Sequence, residues 1–358
     1  MSRRRYDTIE RALKQLPGLA MDHEKLAALR AKYEDRPLEE VDDPGFREAM
    51  EMIGVGSMFS GLRTLLDAPH RADMEGLDIA LIGVPFDLGV VHRAGARFGP
   101  QAIRDITSKV GPYNHYNRIN PFALCEIADV GDVPLAGFSL DNGIAQIEAF
   151  YRQVHLAGVR PVSAGGDHSV TYPILKAIGL EEPLGLVHVD AHCDTMGAIG
   201  DSKFHHGGPF RNAVLDGVVD PERTIQIGIR GTAEAFWEFS YDAGMTVIHM
   251  EDFERMGVDA VIEKARAVVG SGPCYVSFDV DGLDPVFAPG TGTPEVGGLT
   301  TREAQQLLRG LRGLNIVGGD VVEVAPEYDS TTNTAQTGKQ MMFEILCLTA
   351  DSIAERRG

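Results

Sequence analysis

Asp190-Ala191-His192-Cys193-Asp194 puts two carboxylates and an imidazole within one short stretch. The apolar run Leu184 to Val189 comes just before it and reads as a buried strand, so the cluster falls where a strand gives way to a loop. Residues two apart on an extended chain point the same way. Asp190, His192 and Asp194 therefore converge, while Ala191 and Cys193 turn elsewhere, Cys193 reading as a small buried residue. Mixed oxygen and nitrogen donors suit a divalent ion such as manganese, nickel or iron. Alone the pattern is weak, because acidic residues and histidines are common at strand ends.

Two further clusters strengthen it. Asp279 and Asp281 follow the apolar run Cys274 to Phe278 and share a face, and Gly165-Gly166-Asp167-His168 follows Pro161 to Ala164. In an open parallel sheet, ligands bind at the C-terminal ends of the strands, which is where all three clusters lie. His168, Asp190, His192, Asp194, Asp279 and Asp281 then meet on one edge. Carboxylates gathered in this way repel one another unless cations lie between them, so one or two metal ions are implied.

Gly-Gly-Asp-His at 165–168, Asp-Ala-His-Cys-Asp at 190–194 and Ser-Phe-Asp-Val-Asp-Gly-Leu-Asp-Pro at 277–285 together resemble the ureohydrolases, the family of arginase and agmatinase. Gly83 to Asp87, Gly95 to Pro100, His206-Gly207, Gly290 to Glu295 and Val322 to Pro326 agree, and the similarity runs from about Asp78 to the C-terminus. The resemblance implies a pair of manganese or, alternatively, nickel ions and hydrolysis of a guanidino group to urea and an amine. It implies that one metal takes His168, Asp190, Asp194 and Asp279 and the other Asp190, His192, Asp279 and Asp281, with Asp190 and Asp279 bridging. Asp279, His206 and Glu323 are then the residues implied in catalysis: Asp279 as a bridge, His206 for proton transfer to the leaving amine, Glu323 for gripping the guanidinium. The chemistry agrees with that reading. Guanidinium carbon is a poor electrophile, so water must be activated, and paired cations lower its pKa. A strand-end carboxylate such as Glu323 can accept parallel hydrogen bonds from a planar guanidinium. His188, one step deeper than Asp190, and Asp167, beside His168, are expected to support the ligands.

The substrate's tail is less legible. Met196, Ala198 and Ile199 lie where arginases carry polar anchors for the amino-acid head, which disfavours arginine. The resemblance is to the agmatinase-like branch, with a guanidino acid, guanidine or a biguanide such as metformin as alternative substrates. Lys203 or Arg211 could anchor a guanidino acid, Gly208 could enlarge the pocket, and His92 and His115 could rim it. His205 is set aside in favour of His206 by the His-Gly register. Two competing readings are a single-zinc deacetylase of related architecture and a non-catalytic partner of an active paralogue. The full ligand set argues against both.

The 358 residues carry a formal net charge of −19, which argues against nucleic acid as a partner, and no apolar run approaches a membrane span. No apolar signal segment follows the basic start, and the four cysteines lack zinc spacing, which fits a reducing cytoplasm. Residues 1–75 are expected to form a helical arm, with helices at Asp7 to Leu16 and Asp22 to Tyr33, packed on the core, a neighbouring subunit or the active-site mouth. Residues 76–358 are expected to form the catalytic domain. There, strands at Ile79 to Val84, Ala123 to Ile127, Pro161 to Ala164, Leu184 to Val189, Thr224 to Ile229, Thr246 to His249, Cys274 to Phe278 and Asn315 to Val324 alternate with helical patterns, including Ala233 to Tyr241 and Asp252 to Val269. Such alternation predicts a three-layer α/β/α fold on a mostly parallel eight-stranded sheet. The resemblance also implies a homotrimer or homohexamer, or a hetero-oligomer with a paralogue.

Overall fold

The structure, a computed structural model, describes residues 23–37, 42–47, 61–106, 113–137, 139–231 and 234–357. Eight strands form one sheet: β1 Ile79–Gly83, β2 Ile127–Asp132, β3 Arg160–Ala164, β4 Leu184–Val189, β5 Val219–Ile229, β6 Thr246–His249, β7 Pro273–Asp279 and β8 Asn315–Val322. Their order is β2-β1-β3-β8-β7-β4-β5-β6, and every neighbouring pair is parallel. The expected mostly parallel sheet is thus wholly parallel among the described strands.

The strands are apolar on both faces because helices cover both. Ile79 and Leu81 join one core layer with Val261, Ala265, Leu307, Met342 and Ile345. Ala80 and Ile82 join the other with Ile147, Tyr151, Ile174 and Phe210. This alternation at a period of two is what a strand buried between helix layers requires.

The order of the strands positions the site. The chain builds β1 to β3, crosses to β4, runs outward through β5 and β6, and returns to fill the gap with β7 and β8. The four strands β3, β8, β7 and β4 are therefore contiguous at the centre, and their C-terminal ends deliver Asp167-His168, Glu323, Asp279 and Asp190 to one place. A crevice where strand order reverses is the usual ligand site of such sheets.

Local departures have local causes. The strand expected at Ala123 to Ile127 is instead a helical turn, Pro121–Leu124, followed by β2. Asn120 caps that turn by accepting from the Phe122 N–H, and Pro121 occupies its first position. The helix expected over Asp252 to Val269 is two, Met250–Met256 and Val258–Val269, broken at Gly257 with φ 76°. In the stretch expected as a helix from Ala233, the described residues form a short helical turn at Glu234–Phe236 and a helix at Glu238–Asp242. Of the arm, Asp7 to Leu16 lies outside the described residues, and His23–Tyr33 is helical. Leu65 and Leu66 enter the core, and the Leu65 N–H donates to Asp129 (2.8 Å).

Candidate active site

Gly165 and Gly166 bring β3 to a tight stop. A side-chain carbon on Gly166 would lie 1.7 Å from the Phe86 carbonyl oxygen, so only glycine fits. Asp167 then accepts from the Ser169 N–H (2.9 Å) and the Gly89 N–H (2.8 Å), which fixes the turn that presents His168.

His168 Nδ1 lies 3.1 Å from Asp190 Oδ2, 3.0 Å from Asp194 Oδ2 and 3.1 Å from Asp279 Oδ2. A second cage adjoins it: His192 Nδ1 is 3.4 Å from Asp190 Oδ1 and 3.2 Å from Asp281 Oδ2. Asp190 belongs to both. Behind them, His188 Nε2 lies 2.7 Å from Asp190 Oδ2, with Gln226 beside its other nitrogen at 3.1 Å. Asp281 accepts from the Ala191 N–H (3.1 Å) and the Thr293 hydroxyl (3.0 Å).

The donor set fits a pair of divalent cations, on two observations. First, the Ser277 hydroxyl donates to Asp320 Oδ1 (2.7 Å), so its oxygen accepts from His168 Nε2–H (2.8 Å). In the neutral ring Nδ1 is then a lone pair, buried without a hydrogen-bond partner and ringed by three carboxylate oxygens, which against burial pull the ring towards its protonated form when no cation lies between them. A lone pair aimed at carboxylates is repulsive unless a cation lies between them. Second, burial pushes Asp279 well above the usual carboxylate range, with repulsion from Asp281 and Asp190 adding to it. Burial and Asp190 likewise push Asp281 up to about 6. Ions of opposite sign remove that penalty.

Glu323 and His206 form a neighbouring pair. His206 Nδ1 is 2.9 Å from Glu323 Oε1, which also accepts the His168 N–H (3.0 Å). Burial opposes charge on His206, but Glu323, then Asp167 and Asp194, hold it up to about 9. A neutral ring with its hydrogen on Nδ1 makes that bond and also accepts the Val91 N–H at Nε2 (3.3 Å). Glu323 Oε2 is buried and unpartnered. Two groups already occupy Oε1, so the parallel pair of bonds expected from a guanidinium reduces to the free oxygen. Glu323 (φ 63°) and Asp194 (φ 53°) both adopt the left-handed backbone region, a strain of the kind that gathers at functional sites.

A cavity of about 160 Å³ opens over the cages, lined by His192, Asp194, Asp279 and Asp281 with Val91, Cys193, Met196, His205, His206, Gly207, Phe236 and Thr293. His168, Asp190 and Glu323 are buried and adjoin the lining residues Asp194, His192 and His206. Cys193 is buried as expected but lines the cavity, because β4 ends at Val189 and the chain bends from Asp190 to His192, where alternation no longer holds. Lys203 and Arg211 are not on the wall. The Lys203 ammonium sits over Tyr172 (5.8 Å) and Phe204 (5.2 Å), and the Arg211 guanidinium over Phe239 (4.6 Å). His92 and His115 are exposed and are not among the residues that line it. Gly208 does not widen it: a side-chain carbon there would meet the His205 ring and the Met196 carbonyl oxygen, each at 3.1 Å.

Several supporting residues escape sequence reasoning. Asp320 accepts from Thr171 (2.8 Å), Tyr275 (3.0 Å) and Ser277 (2.7 Å). Arg230 donates to the carbonyls of Asp281 (2.7 Å) and Glu295 (2.7 Å) and ties the loop after β7 to the cavity rim. Asp320 inside apolar β8 and Gln226 inside apolar β5 were the available signals, since a polar group in a buried strand needs partners. Arg230, at the end of β5, carried none.

A parallel sheet with adjoining histidine–carboxylate cages at its switch point defines a metallohydrolase-type centre. The model of the arginase family matches residues 77–348, and the chain belongs to that family. It is 52% identical over 299 residues to a guanidinopropionase of Pseudomonas aeruginosa, covering 83% of this chain and 94% of the relative. It is 45% identical over 291 residues to a mitochondrial agmatinase of Gallus gallus, covering 80% and 86%. Its fold matches the proclavaminate amidino hydrolase of Streptomyces clavuligerus with a TM-score of 0.79 at 36% identity, covering 83% of this chain and 99% of that one.

Proposed function

We propose that this protein hydrolyses a short guanidino acid to urea and an amino acid, using two divalent ions. The observation that carries the hydrolase reading is the unpartnered His168 Nδ1 held 3.0–3.1 Å from three carboxylates, beside a second cage that shares Asp190. His168, Asp190, Asp194 and Asp279 would hold one ion; Asp190, His192, Asp279 and Asp281 the other. Bound there, the ions supply the Lewis acidity that makes water nucleophilic near neutral pH. The carboxylate-rich set suits manganese, with nickel as the competitor.

The chain's own groups do the rest. Glu323 Oε2, unpartnered, accepts a guanidinium N–H, and its Oε1 holds His206 through Nδ1. His206 lines the cavity, and Glu323 raises its pKa to about 9 against burial, which suits it to protonate the departing amine. Met196, Phe236 and Val91 offer an arginine head nothing polar. Of the three apolar loop residues expected to disfavour arginine, only Met196 reaches the cavity. Similarity to a guanidinopropionase at 52% identity favours an acid over agmatine. The protein acts in the cytoplasm as a homotrimer or homohexamer.

Urea release from arginine, agmatine, guanidinobutyrate, guanidinopropionate, guanidine and metformin, with manganese and nickel supplied separately, tests this reading. The guanidino acids should show the highest kcat/KM. Arginine as the best substrate, or no urea from any compound, would contradict it.

A further inference from the structure

Gln226 is an amide where the fold calls for a hydrocarbon. It is fully buried in β5 between Ile225 and Ile227, and its Oε1 has no hydrogen-bond partner among the described residues. A buried amide that meets only part of its bonding capacity costs free energy, and an apolar side chain of the same length would escape that cost. The nitrogen accounts for its place. Nε2 lies 2.5 Å from the Cys193 carbonyl oxygen and 3.1 Å from His188 Nδ1. The carbonyl only accepts, so the group facing it is the NH2, and the same NH2 gives its second hydrogen to His188.

Each of these bonds leads to a ligand of the His168 cage. The register of β4 on β5 sets Gln226 beside His188. With Nδ1 accepting, the His188 hydrogen is on Nε2, which donates to Asp190 Oδ2 at 2.7 Å. That oxygen is the one that faces His168 Nδ1, at 3.1 Å. The Phe210 ring packs on the imidazole with 4.2 Å between centroids. The second bond acts on the backbone. The Cys193 carbonyl belongs to the peptide group that leads into Asp194, so Gln226 fixes that peptide plane. The Phe210 N–H fixes the next one by donating to the Asp194 carbonyl at 3.2 Å. Asp194 is thereby held in the left-handed region (φ 53°), with its carboxylate 3.0 Å from His168 Nδ1. The second cage has other supports: Asp190 Oδ1 accepts the His192 N–H (2.6 Å), and Asp281 accepts the Ala191 N–H and the Thr293 hydroxyl.

We propose that Gln226 is a positioning residue for the metal centre: one amide on the strand beside the ligand strand aligns Asp190 through His188 and Asp194 through the Cys193 carbonyl, and so sets the affinity of the ion in the His168 cage. This rests on the two-ion reading above. Gln226 is not among the residues that line the cavity, so it reaches turnover only through occupancy of that cage. An apolar residue of the same length leaves every ligand in place but frees two of the carboxylates to turn from His168.

The test uses the full chain as wild type and as Gln226→Met, which keeps the length of the side chain and removes its donors. Stripped protein is titrated with manganese against a chelator, with elemental analysis and electron paramagnetic resonance at each stage. Gln226→Met should bind one ion about ten- to hundredfold more weakly, the range found for supporting partners of metal ligands, and the other almost normally. With two equivalents of manganese it should give the signal of isolated ions where wild type gives that of a spin-coupled pair. Excess manganese should restore the coupled signal and, with it, kcat on guanidinopropionate at unchanged KM. Asp281→Ala identifies the weakened ion. Adding Gln226→Met to that variant, which keeps the ion of the His168 cage, should weaken the remaining ion by the same factor. Where the Met variant does not fold, Gln226→Asn, whose amide falls one carbon short, takes its place with the same expectation. Normal affinity for both ions, equal weakening of both, or a lower melting temperature of the metal-free variant with metal binding intact would overturn the assignment. Failure of the wild type to take up a second ion would instead overturn the two-ion reading beneath it.

Discussion

Ser277→Ala removes a single oxygen, one that accepts from His168 Nε2–H at 2.8 Å and donates to Asp320 at 2.7 Å. Its loss strands a buried imidazole N–H and takes one of three hydroxyl donors from a buried carboxylate. An unmet buried donor costs about 1–3 kcal/mol, and the change creates only a small void. The same bond fixes the tautomer that turns the His168 Nδ1 lone pair toward Asp190, Asp194 and Asp279. Supporting partners of metal-bound histidines are typically worth roughly ten- to hundredfold in metal affinity. The variant should therefore bind one ion ten- to hundredfold more weakly and the ion near His192 almost normally. Competition with a chelator, with elemental analysis at each stage, resolves the two classes of site. Excess metal should then restore most of kcat. Unchanged affinity at both sites, or equal weakening of both, would refute the tautomer argument.

Other outcomes rest on single contacts. Glu323→Gln should retain both ions but lose at least about tenfold in kcat/KM, since a charged acceptor becomes neutral; near-normal kinetics would show that another residue grips the guanidinium. Asp279→Ala should release both ions, whereas Asp281→Ala should chiefly release the one at His192, as counted by elemental analysis. In the metal-free protein the His206–Glu323 pair should carry a pH signature. His206 rises from 6.5 to about 9 on folding, so its stabilisation is complete below pH 6.5 and is lost as pH climbs through 9. The difference in melting temperature between wild type and His206→Gln should shrink over that window, and a constant difference would count against the pair. Gly166→Ala, with 1.7 Å between the new carbon and the Phe86 carbonyl, should abolish soluble expression or lower the melting point steeply.

The ligand cluster was legible because it follows short apolar strands whose C-terminal ends carry geometric meaning, although His168 and Asp281 sit in helical turns and Asp190 and His192 in bends just beyond them. The αβ alternation gave the layers for the same reason, and the family match agrees with both. Boundaries failed where a local signal outranked periodicity: Asn120-Pro121 starts a helical turn inside an expected strand, and Gly257 divides an expected helix. The site's supports were harder to read. The residues Ser277, Asp320 and Arg230 act through contacts that span 43 to 149 positions, and spacing along the chain holds no trace of these. Lys203 and Arg211 looked like anchors because charge is visible in a sequence, whereas the rings that draw them away are not.

The central claim is that two ions act together in one hydrolytic site. Titrating the metal-free protein with manganese while monitoring urea release from guanidinopropionate tests it most directly. Activity should rise to a plateau at two equivalents per chain, with little turnover at one. A plateau at one equivalent, or turnover independent of added metal in the stripped protein, would contradict the account.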